Sequence, residues 1–258
     1  MKRIFIFVSL IVLLLATSVW AGGFANGGFE SGNWTGWTTG SGYWSGPAGV
    51  PQDINLYLPG GARNDGGVVF NQKSAIVSPG PDPVVGNLLN QVYGGSYAAR
   101  INNWDDSSHV SAISQIVTNY TDPHIYFAWA AVLEASHSSN DSDYFALKLT
   151  DDTAGDILYN VAYSSATTPG YFHQFGDWYY SDWQVQDLDV SARLGHTFTL
   201  SLIGSDCPYG GHGGYAYLDG FGAAPPPPGG QVPEPATMLL LGSGLVGLAG
   251  FARRRFKK

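Results

Sequence analysis

The sequence is poor in the residues that usually clothe exposed helices. Charged residues make up 12% of its 258 positions, and Lys and Glu are especially scarce. A helical body would need them on its solvent faces, so their shortage argues against one. No helical periodicity longer than two turns runs between Gly22 and Gly230, and no internal repeat of roughly 20–50 residues is present. A single cysteine, Cys207, rules out a disulfide within the chain and reads as a small buried hydrophobe. Positive charge is scarce in the middle of the chain. Seven of the 12 Lys and Arg lie in the terminal segments (Lys2, Arg3, Arg253, Arg254, Arg255, Lys257, Lys258). That leaves five against 19 acids before Glu234, a net of 5 − 19 = −14. Such a surface repels phosphate backbones, so nucleic acid is not expected as a partner, whereas divalent cations or neutral ligands suit it.

The marks of catalysis are missing as well. The six histidines (His109, His124, His137, His173, His196, His212) show no metal-ligand spacing on a helix turn. There is no Gly-x-Ser-x-Gly elbow and no Gly-rich phosphate loop opening a helix. The carboxylate pairs Asp105-Asp106, Asp141 and Asp143, and Asp151-Asp152 sit in polar clusters that read as turns. A glycosidase needs two carboxyls facing across a cleft, and sequence alone leaves that arrangement open. We therefore expect a non-enzymatic protein, with a polysaccharide hydrolase or lyase as the alternative.

What is present is glycine (35 residues), aromatics (14%), and short apolar runs broken by Gly, Pro, Asn, Asp and Ser. Residues 110–118 alternate as a strand. Residues 124–133 are apolar on both phases, which predicts a central strand covered on both faces. In residues 144–149, Phe145, Leu147 and Leu149 point one way and Lys148 the other. Phe198, Leu200 and Leu202 do the same within residues 197–203, and residues 214–221 close the domain. Trp183 and Val185 fall out of phase with Leu188 and Val190, which predicts a bulge near Gln186-Asp187. These runs predict an all-β fold, a single jelly-roll-like β-sandwich over residues 22–223. The Pro- and Gly-rich residues 224–231 read as a stiff spacer.

Both ends carry export features. Met1-Lys2-Arg3 followed by the apolar run from Ile4 to Ala16 and by Val19-Trp20-Ala21 reads as an N-terminal signal peptide over residues 1–21, cut by signal peptidase after Ala21. At the other end, Val232-Pro233-Glu234-Pro235 precedes 17 uncharged residues, 236–252, and then Arg253-Arg254-Arg255. As a helix the run would reach about 25 Å, nearly the hydrocarbon thickness, with the arginines as a basic stop on the cytoplasmic side. These residues resemble the PEP-CTERM sorting signal of Gram-negative bacteria, here over residues 232–258. The resemblance implies a membrane-anchored precursor with a single transmembrane helix, processed near Pro-Glu-Pro by an exosortase of the inner membrane. The body would then reach the cell surface, the extracellular matrix or the medium.

The body carries a second resemblance. Asn26-Gly27-Gly28-Phe29-Glu30-Ser31-Gly32 near its start and Tyr215-Ala216-Tyr217-Leu218-Asp219-Gly220-Phe221 at its end are similar to the galactose-binding-like jelly rolls of many carbohydrate-binding modules. In that family first and last strands lie side by side, and the match implies a structural Ca2+ held by Glu30 and Asp219. Calcium's preference for hard oxygen ligands agrees; two solvated carboxylates at strand ends are the other reading. The aromatic-rich run around Trp178, Tyr179, Tyr180 and Trp183 offers rings on which sugars stack, or else core filling. In Ser205-Asp206-Cys207-Pro208-Tyr209-Gly210-Gly211-His212, Asp206 and His212 are candidates for ligand or metal, or belong to a hairpin turn with a locally bonded histidine. One His beside one Asp falls short of a transition-metal site. The expected work is carbohydrate binding or adhesion linked to exopolysaccharide or biofilm. A structural surface-coat protein without a small ligand is the alternative.

Overall fold

The computed structural model describes residues 23–44, 53–138 and 141–225. The signal peptide with Ala21, most of the spacer, and the sorting segment with its helix and Arg253–Arg255 lie outside the described residues. Among the described residues, no helix is long and apolar enough to cross a membrane.

Among the described residues fourteen strands follow one another: β1 Thr38–Tyr43, β2 Ala75–Val77, β3 Pro81–Asp82, β4 Gly86–Asn90, β5 Ala98–Ile101, β6 His109–Val117, β7 His124–Glu134, β8 Tyr144–Asp151, β9 Asp156–Ser164, β10 Phe172–Phe175, β11 Trp178–Ser181, β12 Gln184–Asp189, β13 Phe198–Ser205 and β14 Gly214–Gly222. One short helix, α1 (Val68–Lys73), precedes β2. Five strands form one sheet in the order β1-β6-β13-β8-β9. The opposing sheet runs β10-β11-β7-β14-β5-β2, with β12 also on β7. Every pairing is antiparallel. A third, two-stranded sheet is the β3-β4 hairpin. This is the all-β sandwich expected from the alternating runs.

The core between the sheets follows from that alternation. Ile113, Phe145, Leu147, Leu149, Phe198, Leu200 and Leu202 from the five-stranded sheet meet Ile125, Phe127, Trp129, Leu133 and Leu218 from the other, all fully or almost fully buried. Each such side chain contributes about 1.5–3 kcal/mol through removal from water. β7 is the central strand its two-phase apolarity predicts. β14 pairs along one edge of it and β11 and β12 along the other. Its outer phase, Ala130 and Val132, is covered by a second cluster holding Tyr180, Tyr215, Tyr217 and the hairpin residues Val85 and Leu89.

Two expectations are corrected. The pairing of β12 with β7 is regular from Gln184 to Asp189, with no bulge at Gln186-Asp187. Leu188 packs inward, while Val185 sits on the opposite face, 44% exposed. The prediction failed because it assigned both apolar residues to one buried face. The first and last strands are not side by side either: β1 and β14 belong to different sheets. The segment before β1 does reach β14, where Phe221 N–H donates to the Gly27 carbonyl at 3.1 Å. Gly27 is required there, since a Cβ would lie 1.6 Å from the Phe221 carbonyl oxygen.

Candidate functional site

The outer face of the seven-stranded sheet carries the densest aromatic surface. Register places Trp178 and Tyr180 on it, next to Glu134 and Val132 of β7. Tyr215 and Tyr217 of β14 continue the row, beside Val132 and Ala130. Tyr179 alternates to the other face. Trp183, in the break between β11 and β12, packs onto the same outer cluster and donates its indole N–H to the Asn90 carbonyl at 2.9 Å. The β3-β4 hairpin packs over part of this face through Val85 and Leu89. Both tyrosine hydroxyls donate to Asp82 of that hairpin, Tyr215 at 2.9 Å and Tyr217 at 2.8 Å. Asp82 is itself 2% exposed and accepts the N–H groups of Val84 and Val85. Burial and the adjacent carboxylate push both phenols far above their usual range, so they remain donors.

Beyond the hairpin the face opens. Trp104, 38% exposed, meets Tyr215 edge-on at 6.1 Å between ring centroids, and Trp178, partly exposed, lies 6.3 Å from the same ring. In strand order β14 stands between their supports, so the two indoles flank Tyr215. The Arg100 guanidinium sits 4.7 Å above the Trp104 ring, a cation–π contact that fixes the indole. Phe175 and His173 of β10 extend the surface, the latter 3.1 Å from Asp182. The other sheet's outer face holds a groove of about 360 Å3, lined by Lys148, Asn160, Ser201 and Tyr144 among others. Its single ring, Tyr144, is buried and offers no stacking face.

Glu30 and Asp219 converge on one loop. Asp219 accepts the N–H groups of Tyr93 and Gly94, both at 3.0 Å, and of Gly220. Glu30 accepts those of Ser96 and Tyr97. Phe29, fully buried and stacked on Trp37, takes φ +58° and so aims Glu30 at the loop. That backbone region is unfavourable for a bulky residue and persists because packing holds it. Burial, with Glu30 nearby, raises the Asp219 carboxyl to about 7 despite three N–H donors. The oxygens thus face amide donors, the bonding of a clasp, whereas calcium calls for further oxygen ligands around the same atoms.

Asp206 is fully buried and unavailable to a surface ligand. It accepts from Asn102 Nδ2 at 2.7 Å and from the His109 N–H at 3.0 Å, and His109 Nδ1 lies 3.0 Å from it, off the hydrogen-bond direction. Its polarity serves the core because the loop before β14 folds inward over β6. His212 is partly buried in that loop, next to Gly213, which bonds to Glu134. The carboxylates of the sequence pairs have local partners: Asp105 with Lys73, Asp141 with Ser138, Asp143 with Ser165, Asp151 with Arg193 and His196. Arg100 carries no binding signal in the sequence, and Tyr215 appears there only within the closing-strand motif. Trp104 was visible as a tryptophan in an Asp-rich loop, but nothing local reveals its proximity to Trp178.

Residues 231–255 match the PEP-CTERM protein-sorting motif, so the chain carries this signal, which implies an exported, membrane-anchored precursor processed by exosortase. No curated protein matches the chain. Among solved structures it is similar to the carbohydrate-binding module TmCBM61 in complex with beta-1,4-galactotriose, at 15% identity and TM-score 0.39, covering 76% of this chain and 92% of that one. It is also similar to CBM28, specific for non-crystalline cellulose, at 13% identity and TM-score 0.34, covering 75% and 90%. CBM27-1 of Caldicellulosiruptor saccharolyticus, in complex with mannohexaose, matches at 12% identity and TM-score 0.33, covering 59% and 82%. The likeness is one of β-sandwich architecture alone.

Proposed function

We propose that this is an exported, non-catalytic glycan-binding protein whose partly exposed Trp104 and Trp178 stack on rings of a neutral polysaccharide. The observation that carries the reading is the pair of indoles flanking Tyr215, one of them clamped by Arg100. A sugar's apolar face suits such rings, while Arg100, Glu134 and His173 on the same face supply donors and acceptors for its hydroxyls. The acidic body favours a neutral polymer over a polyanion. In this reading signal peptidase cuts after Ala21, exosortase acts near Pro233–Pro235 at the inner membrane, and the body meets exopolysaccharide at the cell surface or in the matrix. A structural Ca2+ at Glu30 and Asp219 is a separate proposal of the jelly-roll resemblance and is tested by chelation.

The test is a glycan array followed by affinity measurement. Trp178→Ala and Trp104→Ala should each weaken binding at least about tenfold, some 1.4 kcal/mol, with the fold retained. Binding that survives both substitutions overturns the site. Absence of binding to any glycan favours the surface-coat alternative, and release of reducing ends from a bound polymer favours the hydrolase.

A further inference from the structure

At one end of the sandwich, two loops bring together a cysteine and two histidines that lie far apart in sequence. His137 follows β7, and Cys207 and His212 belong to the turn between β13 and β14. One ligand atom from each lies within 4.8 Å of the others, the only such group of three or more metal-binding side chains among the described residues. We propose that His137, Cys207 and His212 bind a zinc-class divalent cation and thereby fasten these two loops together.

The local structure is arranged for this. Cys207 N–H donates to the His212 carbonyl at 2.9 Å, closing the turn so that the histidine returns over the thiol. Gly210 and Gly211, at φ +71° and +117°, make that return possible, since residues with a Cβ avoid such angles. Glu134 N–H donates to the Gly213 carbonyl at 3.1 Å, and Gly213 N–H donates to Glu134 Oε2 at 2.8 Å, which ties the His137 segment to the turn. The two imidazoles meet at 85° with centroids 4.8 Å apart, edge to face and not stacked against each other.

Two observations point to a ligand. His212 Nδ1 is buried without a hydrogen-bond partner, an arrangement that costs free energy unless something accepts or ligates there. Cys207 is fully buried, with a ring nitrogen of each histidine close to its sulfur. One sulfur and two imidazoles suit zinc, whose tetrahedral shell would hold them roughly 3.3–3.6 Å apart with water in the fourth position, so atoms now within 4.8 Å of one another would close by no more than about 1.5 Å. On binding, the thiol proton leaves to solvent and the sulfur lone pair forms the metal bond.

The full-length chain in detergent, kept reduced, is titrated with Co2+ and then with Zn2+. Cobalt should give a thiolate-to-metal charge-transfer band and the visible absorption of a four-coordinate site, which zinc then abolishes. Cys207→Ser should remove the band. His137→Ala, at an exposed position that does not support the core, should weaken zinc binding at least tenfold with the fold intact. No charge-transfer band in the native chain overturns the proposal, as does zinc affinity unchanged in both His137→Ala and His212→Ala.

Discussion

Asp219 and Glu30 hold the same loop by its backbone, Asp219 at Tyr93 and Gly94 and Glu30 at Ser96 and Tyr97. One carboxylate comes from the last strand, the other from the segment before the first, and the loop they share leads into β5. The seam between the chain's two ends is therefore closed through a third segment. Asp219→Ala should cost about 2–3 kcal/mol in urea unfolding because it strands buried amides, and the more exposed Glu30→Ala about 1 kcal/mol. Under the clasp reading a chelator leaves the melting temperature unchanged. A fall of several degrees that added calcium restores would establish the metal instead.

The same region governs pH dependence. The Asp219 carboxyl is raised by burial to about 7, so the folded state keeps a proton that the unfolded chain releases near 3.8. Its contribution therefore falls as pH rises from about 4 to 7. Asp151 behaves oppositely. Burial alone would raise it, but Arg193 at 2.7 Å, His196 at 2.8 Å and the Ala154 N–H bring it down to about 2. Its contribution is lost as pH falls from about 4 through 2. Stability from these two groups should peak near pH 4, with Asp219→Asn flattening only the upper limb and Asp151→Asn only the lower.

Asp82 joins the β3-β4 hairpin to the sheet through Tyr215 and Tyr217. Asp82→Ala would leave two buried hydroxyls and two turn amides unsatisfied, so a loss of about 2–4 kcal/mol is expected. Asp82→Asn should retain part of this. Hydrogen exchange should localise the opening to residues 81–92; a loss spread evenly over both sheets would refute this anchoring role.

Leu200 lies fully buried on β13, midway between β6 and β8. Leu200→Ala should cost about 2–5 kcal/mol through lost transfer energy and a residual cavity. A cost under 1 kcal/mol in chemical denaturation would mean that the inter-sheet core is looser than its packing indicates.

The sorting motif predicts a mass. Protein recovered from the medium or envelope should lack the residues through Ala21 and those beyond the Pro233–Pro235 region. Recovery of the uncut chain as the only species would refute export by this route.

Much of the sandwich was legible because its strands alternate strictly. Phe198, Leu200 and Leu202, or Phe145, Leu147 and Leu149, disclose both strand and face. The two-phase apolarity of residues 124–133 likewise disclosed β7 as central. Misreadings came where an apolar residue sits in the open, as Val185 does, or where a charged one is buried and paired, as Asp206 is. The sites were less legible. The Trp104–Tyr215–Trp178 cluster and the His137–Cys207–His212 triad each join segments whose meeting depends on strand order, and local sequence carries no record of that order. Asp82, a turn residue by composition, acquires its role only from two tyrosines on a distant strand.

β14 lies in the interior of its sheet, bonded to β7 on one edge and β5 on the other, and from its end the chain runs on toward the sorting segment. A pull applied through that segment would act along the strand, loading two ladders of hydrogen bonds sideways and at once, where a peripheral hairpin would unzip bond by bond. Were the body held through that segment, the load would fall first on an interior strand and not on a peripheral hairpin.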